Sequence, residues 1–145
     1  MDIKECMCKD VIKAKPDTSI EDCAKLMNDN HIGCVPVCDD ENKIVGIVTD
    51  RDIVLRGIAC SKDPKSTTLS DIMTTEVCCC ETDADLEHAE EIMKQNKVRR
   101  LPVIHDSKIV GILTLGDLAC NVEVDCDCLG ETLEDICDDD EKNAE

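Results

Sequence analysis

Residues 33–49 read GCVPVCDDENKIVGIVT, and residues 99–114 read RRLPVIHDSKIVGILT. The second stretch is a variant of the first. Pro36-Val37 falls on Pro102-Val103 at an offset of 66. One residue then drops out of the turn, and Lys43-Ile44-Val45-Gly46-Ile47 falls on Lys108-Ile109-Val110-Gly111-Ile112 at an offset of 65. Running backwards at 66, Met27 meets Met93, Asn30 meets Asn96, Asp17 meets Asp83, Val11 meets Val77 and Met7 meets Met73. An internal repeat restricts the fold more than any composition does: what one copy forms, the other forms too. The chain divides into a first repeat over residues 3–60, a second over 61–120, and a tail over 121–145. Residues 57–68 (GIACSKDPKSTT) join the copies, and their Gly, Pro, Ser and Thr mark a linker.

Each copy follows the same order of elements. Val11-Ile12 and Val77-Cys78 open short strands. Thr18 with Glu21 three residues on is a capping-box signal. Ile20, Cys23, Ala24 and Met27 then recur at helical spacing, as do Leu86, Ala89 and Met93. Cys34–Cys38 and Leu101–Ile104 are short apolar strands, with polar turns at Asp39–Asn42 and His105–Ser107. Ile44–Thr49 and Ile109–Thr114 are return strands, and short helices follow at Arg51–Arg56 and Gly116–Val122. The expected fold class is therefore α/β (α+β): β-α-β-β-α, twice. Two three-stranded sheets, each with helices on one side, are too small to stand alone and gain a core by packing face to face.

Composition closes several functional classes. Asp and Glu number 34 against 16 Lys and Arg, a net charge of −18. This charge works against nucleic acid and anionic membranes as partners. The absence of Phe, Trp and Tyr removes aromatic cages and base-stacking platforms. No run approaches the ~18 apolar residues that cross a bilayer. The opening MDIKECMCKD lacks the apolar region of a secretory signal, so a cytoplasmic location is expected. The 13 cysteines then read as small hydrophobes in a reduced compartment. The tail from Asn121 holds 11 acidic residues and one lysine. Leu129, Leu133, Ile136 and Cys137 could form a short amphipathic helix there.

This organisation resembles the cystathionine β-synthase (CBS) domain pair, or Bateman module. The residues that carry the resemblance are Val35-Pro36-Val37 with Gly46-Ile47-Val48-Thr49-Asp50-Arg51-Asp52, and Leu101-Pro102-Val103 with Gly111-Ile112-Leu113-Thr114-Leu115-Gly116-Asp117. The run from Thr49 to Ile53 is similar to that of small stand-alone bacterial members. The resemblance implies a pseudo-twofold pair of clefts between the repeats. It implies that adenosine-containing ligands (AMP, ADP, ATP or S-adenosylmethionine) bind there as regulatory ligands, with no catalytic cofactor. It also implies that Asp52 and Asp117 accept hydrogen bonds from ribose hydroxyls, with Thr49 and Thr114 near ribose or phosphate. A carboxylate suits a vicinal diol because it accepts both donors with charge assistance. The same resemblance sets Ile32, Gly33, Cys34 and Pro36 opposite Asp117. It sets Val98, Arg99, Arg100 and Pro102 opposite Asp52, where Arg51 adds charge and the two arginines could grip phosphate.

The residues themselves leave a second reading of each feature. Thr-x-x-Asp at a strand-to-helix junction is also a helix cap, and both roles fit one carboxylate. Arg99 and Arg100 also suit surface ion pairs. Cys126-x-Cys128 with Cys137 could hold a soft metal, though the spacing is not that of a zinc knuckle. His31, His88 and His105 share no ligand spacing. No nucleophile–base pair, P-loop or GxGxxG is present. The expected function is a regulatory or sensor module, not an enzyme. The alternative is a thiol-rich metal-binding or redox-responsive protein on the same scaffold. Apolar residues in the short helices (Ile53, Val54, Leu55, Ile58, Leu118, Ala119, Val122) point to a homodimer, with an unidentified regulated protein as a further partner.

Overall fold

The computed structural model describes residues 2–119 of the chain. The elements run α1 (Ile3–Cys6), α2 (Ile20–Asn30), β1 (Cys34–Cys38), β2 (Ile44–Thr49) and α3 (Asp50–Asp52), which continues as a π-helix over Ile53–Ile58. Then come α4 (Leu69–Ile72), β3 (Cys80–Glu81), α5 (Leu86–Asn96), β4 (Arg100–His105), β5 (Lys108–Thr114) and α6 (Leu115–Ala119). The fold is mixed α/β with two small sheets, ordered β1-β2 and β3-β4-β5. The central strands and both long helices lie where the periodicity put them.

The chain forms two compact units, and each takes a piece of the other repeat. One contains Ile12–Val77 together with Ser107–Ile109. Of the described residues, the other contains Asp2–Val11, Cys78–Asp106 and Val110–Ala119. Thus α1, at the start of the first repeat, packs with the second, and α4, near the start of the second repeat, packs with the first. Residues 3–6 and 69–72 correspond at the repeat offset, so the exchange is reciprocal.

In the 12–77 unit, Ile20, Cys23 and Met27 of α2 bury one stripe against Val35, Val37 and Val48, with Ile53, Leu69 and Ile72 closing the cluster. Ala24 is exposed, so the stripe is narrower than the sequence suggested. The cap of α2 is Ser19, not Thr18: Ser19 Oγ accepts the Asp22 N–H at 3.1 Å. Thr18 Oγ1 instead accepts the Lys15 N–H. β1 and β2 pair antiparallel, with Cys34 opposite Thr49 and Val37 opposite Gly46. The expected third strand at Val11-Ile12 is reduced to one bridge at Ala14, whose N–H reaches Pro36 O at 3.0 Å. Pro16, two residues on, has no N–H to continue a ladder.

In the other unit, Leu86, Ala89 and Met93 of α5 pack with Ile3, Cys80, Leu101, Val103, Leu113, Leu115 and Leu118. β3 is parallel to β4 and covers only Cys80 and Glu81, so Cys78 and Cys79 lie ahead of the strand. β4 turns into β5 through Asp106 and Ser107, both at positive φ, as a two-residue hairpin loop requires.

A methionine locks each exchanged segment to its host strand. A Cβ built at Gly46 would stand 2.5 Å from Met73 Sδ and 3.1 Å from the Thr74 carbonyl oxygen. At Gly111 the nearest atom is Met7 Sδ, with Met7 Cγ at 2.9 Å and Cys8 O at 3.1 Å. Beside each thioether the backbones form one reciprocal pair. Thr74 N–H to Ile47 O and Ile47 N–H to Thr74 O are both 2.9 Å. Cys8 N–H to Ile112 O is 2.9 Å, and Ile112 N–H to Cys8 O is 3.0 Å.

Candidate functional site

The same junction is built once in each unit, and local sequence explains it. Each long helix ends in a residue forced into the left-handed region, His31 (φ 54°) and Lys97 (φ 57°). The turn aims the next residues back across the sheet. In the 12–77 unit the Gly33 carbonyl then accepts the Asp50 N–H at 2.9 Å. In the other, the Arg99 carbonyl accepts the Leu115 N–H at 3.0 Å. The lead-in to the first strand is thereby fixed beside the start of the helix that follows the second.

Within each unit, the predicted residues come together by copy. Ile32, Gly33, Cys34 and Pro36 share a unit with Thr49, Arg51 and Asp52; Val98, Arg99, Arg100 and Pro102 share the other with Thr114 and Asp117. Cys34, Pro36 and Pro102 are buried; Ile32, Gly33 and Val98 are half-buried; Arg51, Arg99 and Arg100 are exposed.

Both aspartates are helix caps. Asp52 Oδ2 accepts the Thr49 N–H at 2.9 Å, while Thr49 Oγ1 accepts the Asp52 N–H at 3.2 Å. The corresponding distances at Asp117 and Thr114 are 2.9 and 3.0 Å. The cap uses one carboxylate oxygen. Asp52 Oδ1 faces Arg56 Nε at 3.8 Å. Arg56 is itself anchored, donating from Nη1 to the Ile72 carbonyl at 3.2 Å. Arg56 and Asp50 belong to this neighbourhood and were missed in the sequence. The Asp50 carboxylate lies against Gly33, where a Cβ would stand 3.0 Å from Oδ2. With Arg51, Val54 and Leu55, Asp50 lines an open groove of about 520 Å³. The copies differ here, because Leu115 and Gly116 replace Asp50 and Arg51.

The Thr-x-x-Asp pattern alone is a weak signal. It recurs at Thr68–Asp71, where Asp71 Oδ2 accepts the Thr68 N–H at 3.1 Å in another capping box. It recurs again at Thr82–Asp85, where Asp85 caps α5. Thr49 and Thr114 differ from these because each ends a return strand beside a left-handed turn.

Among the described residues, several thiols are packing groups. Cys23, Cys38 and Cys80 are buried free thiols, and Cys8 and Cys60 are exposed ones. Burial pushes Cys23 up to about 11, with the neighbouring Cys34 adding to the effect. Burial does the same to Cys80, also to about 11. Thiols held protonated in this way are poor nucleophiles and poor metal ligands. Among the described residues, no group of three His, Cys, Asp or Glu side chains is placed to hold a metal ion. Cys126, Cys128 and Cys137 lie outside the described residues, as does the expected tail helix. No helix of the described residues is long and apolar enough to cross a membrane.

Comparison with known proteins matches this architecture. The CBS domain model fits residues 3–57 and again 69–122. The uncharacterized protein YlbB of Bacillus subtilis is 37% identical over 141 residues, covering 97% of this chain and 94% of its own. Among solved structures, Hypoxic Response Protein I with two coordinated zinc ions superposes at TM-score 0.78 and 29% identity, over 84% of this chain and 99% of that one. The CBS domain pair of MJ0100, in complex with 5-methylthioadenosine and S-adenosyl-L-methionine, gives TM-score 0.73 and 30% identity over 82% and 97%. CBSX2 in complex with AMP gives 0.69 and 30% over 80% and 91%. With both repeats matched and the repeated strand-to-helix junction in each, this chain belongs to the CBS domain family.

Proposed function

We propose that the chain is a regulatory module that binds adenosine-containing ligands and has no catalysis of its own. The observation that carries this reading is the duplicated Thr-x-x-Asp junction, in which the cap uses only one carboxylate oxygen. Asp52 and Asp117 then read the ribose diol, and Thr49 and Thr114 lie beside it. Half-buried Ile32 and Val98 offer aliphatic surface for adenine. The solved relatives with AMP, S-adenosyl-L-methionine and 5-methylthioadenosine support this ligand class. Arg51 gives the 12–77 unit a cation at the junction, so binding there favours ligands with more phosphate and weakens with salt. Gly116 stands at the matching position of the other unit, where exposed Arg99 and Arg100 lie on the lead-in to the first strand.

Calorimetry with AMP, ADP, ATP and S-adenosylmethionine tests the proposal. Asp52→Ala and Asp117→Ala should each weaken one site by about 10- to 150-fold, the loss of a charge-assisted hydrogen bond. Each also removes a cap, worth about 1 kcal/mol of stability. Asp71→Ala separates the two effects, since it removes a comparable cap and should leave affinity unchanged. A 2′-deoxy ligand binding as tightly as its ribo form would defeat the ribose assignment. Failure of every nucleotide at millimolar concentration would reduce the junctions to caps.

The homodimer is part of the same reading, resting on a smaller surface than the sequence suggested. Ile53 and Leu118 are core residues at 8% and 0% exposure, whereas Val54, Leu55 and Ile58 are 54%, 48% and 55% exposed. We expect a dimer mass by light scattering at micromolar concentration and a monomer for Leu55→Asp. A monomeric parent protein would refute the assignment.

A further inference from the structure

We propose that Met7 and Met73 form a paired oxidation switch that loosens the two exchanged segments where each meets its host strand. Each thioether occupies a recess that exists only because its host residue, Gly111 or Gly46, has no side chain. Each segment has one reciprocal backbone pair at this point, and the thioether packs beside it. Both methionines are partly exposed, whereas Met27 and Met93 are 6% and 0% exposed within the two cores. Oxidant therefore reaches the latch methionines first.

The reaction is a two-electron oxygen transfer from a hydroperoxide. A sulfur lone pair attacks the distal peroxide oxygen, the O–O bond breaks and the S–O bond forms. The leaving oxygen takes the hydroperoxide proton and departs as water or an alcohol. Sulfur is oxidised and the peroxide is reduced. The product is bulkier and strongly polar, and has no room in a recess so tight that the sulfur already fills the place of a glycine Cβ. It leaves the recess and uncovers the backbone pair beside it. In the 12–77 unit that pair sits at Ile47, two residues before Thr49. Reduction of the sulfoxide restores the latch.

The test is peroxide treatment of the full chain at about pH 5, where thiols stay protonated and thioether oxidation continues. A thiol reductant follows, to reverse any disulfide while leaving sulfoxide in place. Peptide mass spectrometry should find oxygen on Met7 and Met73 before Met27 and Met93. Amide exchange at Cys8, Ile112, Ile47 and Thr74 should quicken about tenfold or more. A methionine sulfoxide reductase should return it to the starting rate. Met7→Leu with Met73→Leu, nearly equal in volume, should hold its protection under peroxide. Should the double variant not fold, each single variant tests its own segment. Sulfoxide formation without faster exchange would overturn the proposal. So would equal oxidation of Met7, Met73, Met27 and Met93, equal loosening of the leucine variants, or failure of the reductase to restore protection.

Discussion

Ile3→Ala is expected to destabilise the unit built on the second repeat by about 2–5 kcal/mol, the cost of truncating a fully buried aliphatic side chain. The expectation follows from the exchange of segments: Ile3 is 0% exposed and packs in a cluster with Leu101, Leu113 and Leu118. Leu69→Ala should act equally on the other unit, because Leu69 is also 0% exposed and lies among Ile20, Val48 and Ile53. Urea unfolding followed by amide exchange resolves which unit each variant weakens. Glu5→Ala, exposed on the same short helix, is the control. A loss below about 1 kcal/mol for Ile3→Ala would mean that α1 is not part of that core.

Alkaline pH should unfold this protein more readily than its carboxylate-rich surface suggests. Cys23 and Cys80 are pushed up to about 11 from 9.0, first by burial and then by neighbouring thiols, with Glu81 also acting on Cys80. In the unfolded chain these thiols ionise near 9, whereas in the folded protein they keep their protons until near 11. Across that window the folded state holds more protons than the unfolded one. Stability is therefore full below about pH 9 and falls as pH rises through 11. At about 1.4 kcal/mol per pH unit, each thiol accounts for a loss of about 2–3 kcal/mol. Urea midpoints measured from neutral pH to pH 11 should fall along this course. Cys23→Ala and Cys80→Ala should start less stable, because of the cavity, but show a flatter decline. An equally steep decline in both variants would place the alkaline sensitivity elsewhere.

The parts of the fold that repeat at a clear period were legible. β2 matches the predicted range residue for residue, and the predicted Leu86, Ala89 and Met93 of α5 are buried, together with Glu90, which the apolar pattern did not mark. The helices α1 and α4 were not found, because four residues make one turn and carry no periodicity. One signal was available: Thr68 with Asp71 three residues on is a capping box, but it lay against the stretch read as linker. The strand expected at Val11-Ile12 failed because apolar character does not guarantee a pairing partner. At the site, Thr49, Asp52, Thr114 and Asp117 were legible as a repeated motif. Asp50 was not, since its role comes from the approach of Gly33, a contact across the sheet. Nor was Arg56, whose guanidinium is positioned by the Ile72 carbonyl. The left-handed turns at His31 and Lys97 were hidden because neither is the glycine that such a turn favours.

The exchange of segments also sets an order in time. Nearly all of the 12–77 unit is contiguous, so its pieces emerge together during synthesis. The other unit must join Cys8 to Ile112, a closure across roughly 100 residues. At translation rates of about 5–20 residues per second, α1 waits on the order of 5–20 s before its partners exist. During that wait Ile3 has no core to enter. α1, made well before its partners, is thus among the last elements to find its place, and a nascent chain stalled before β5 leaves it exposed.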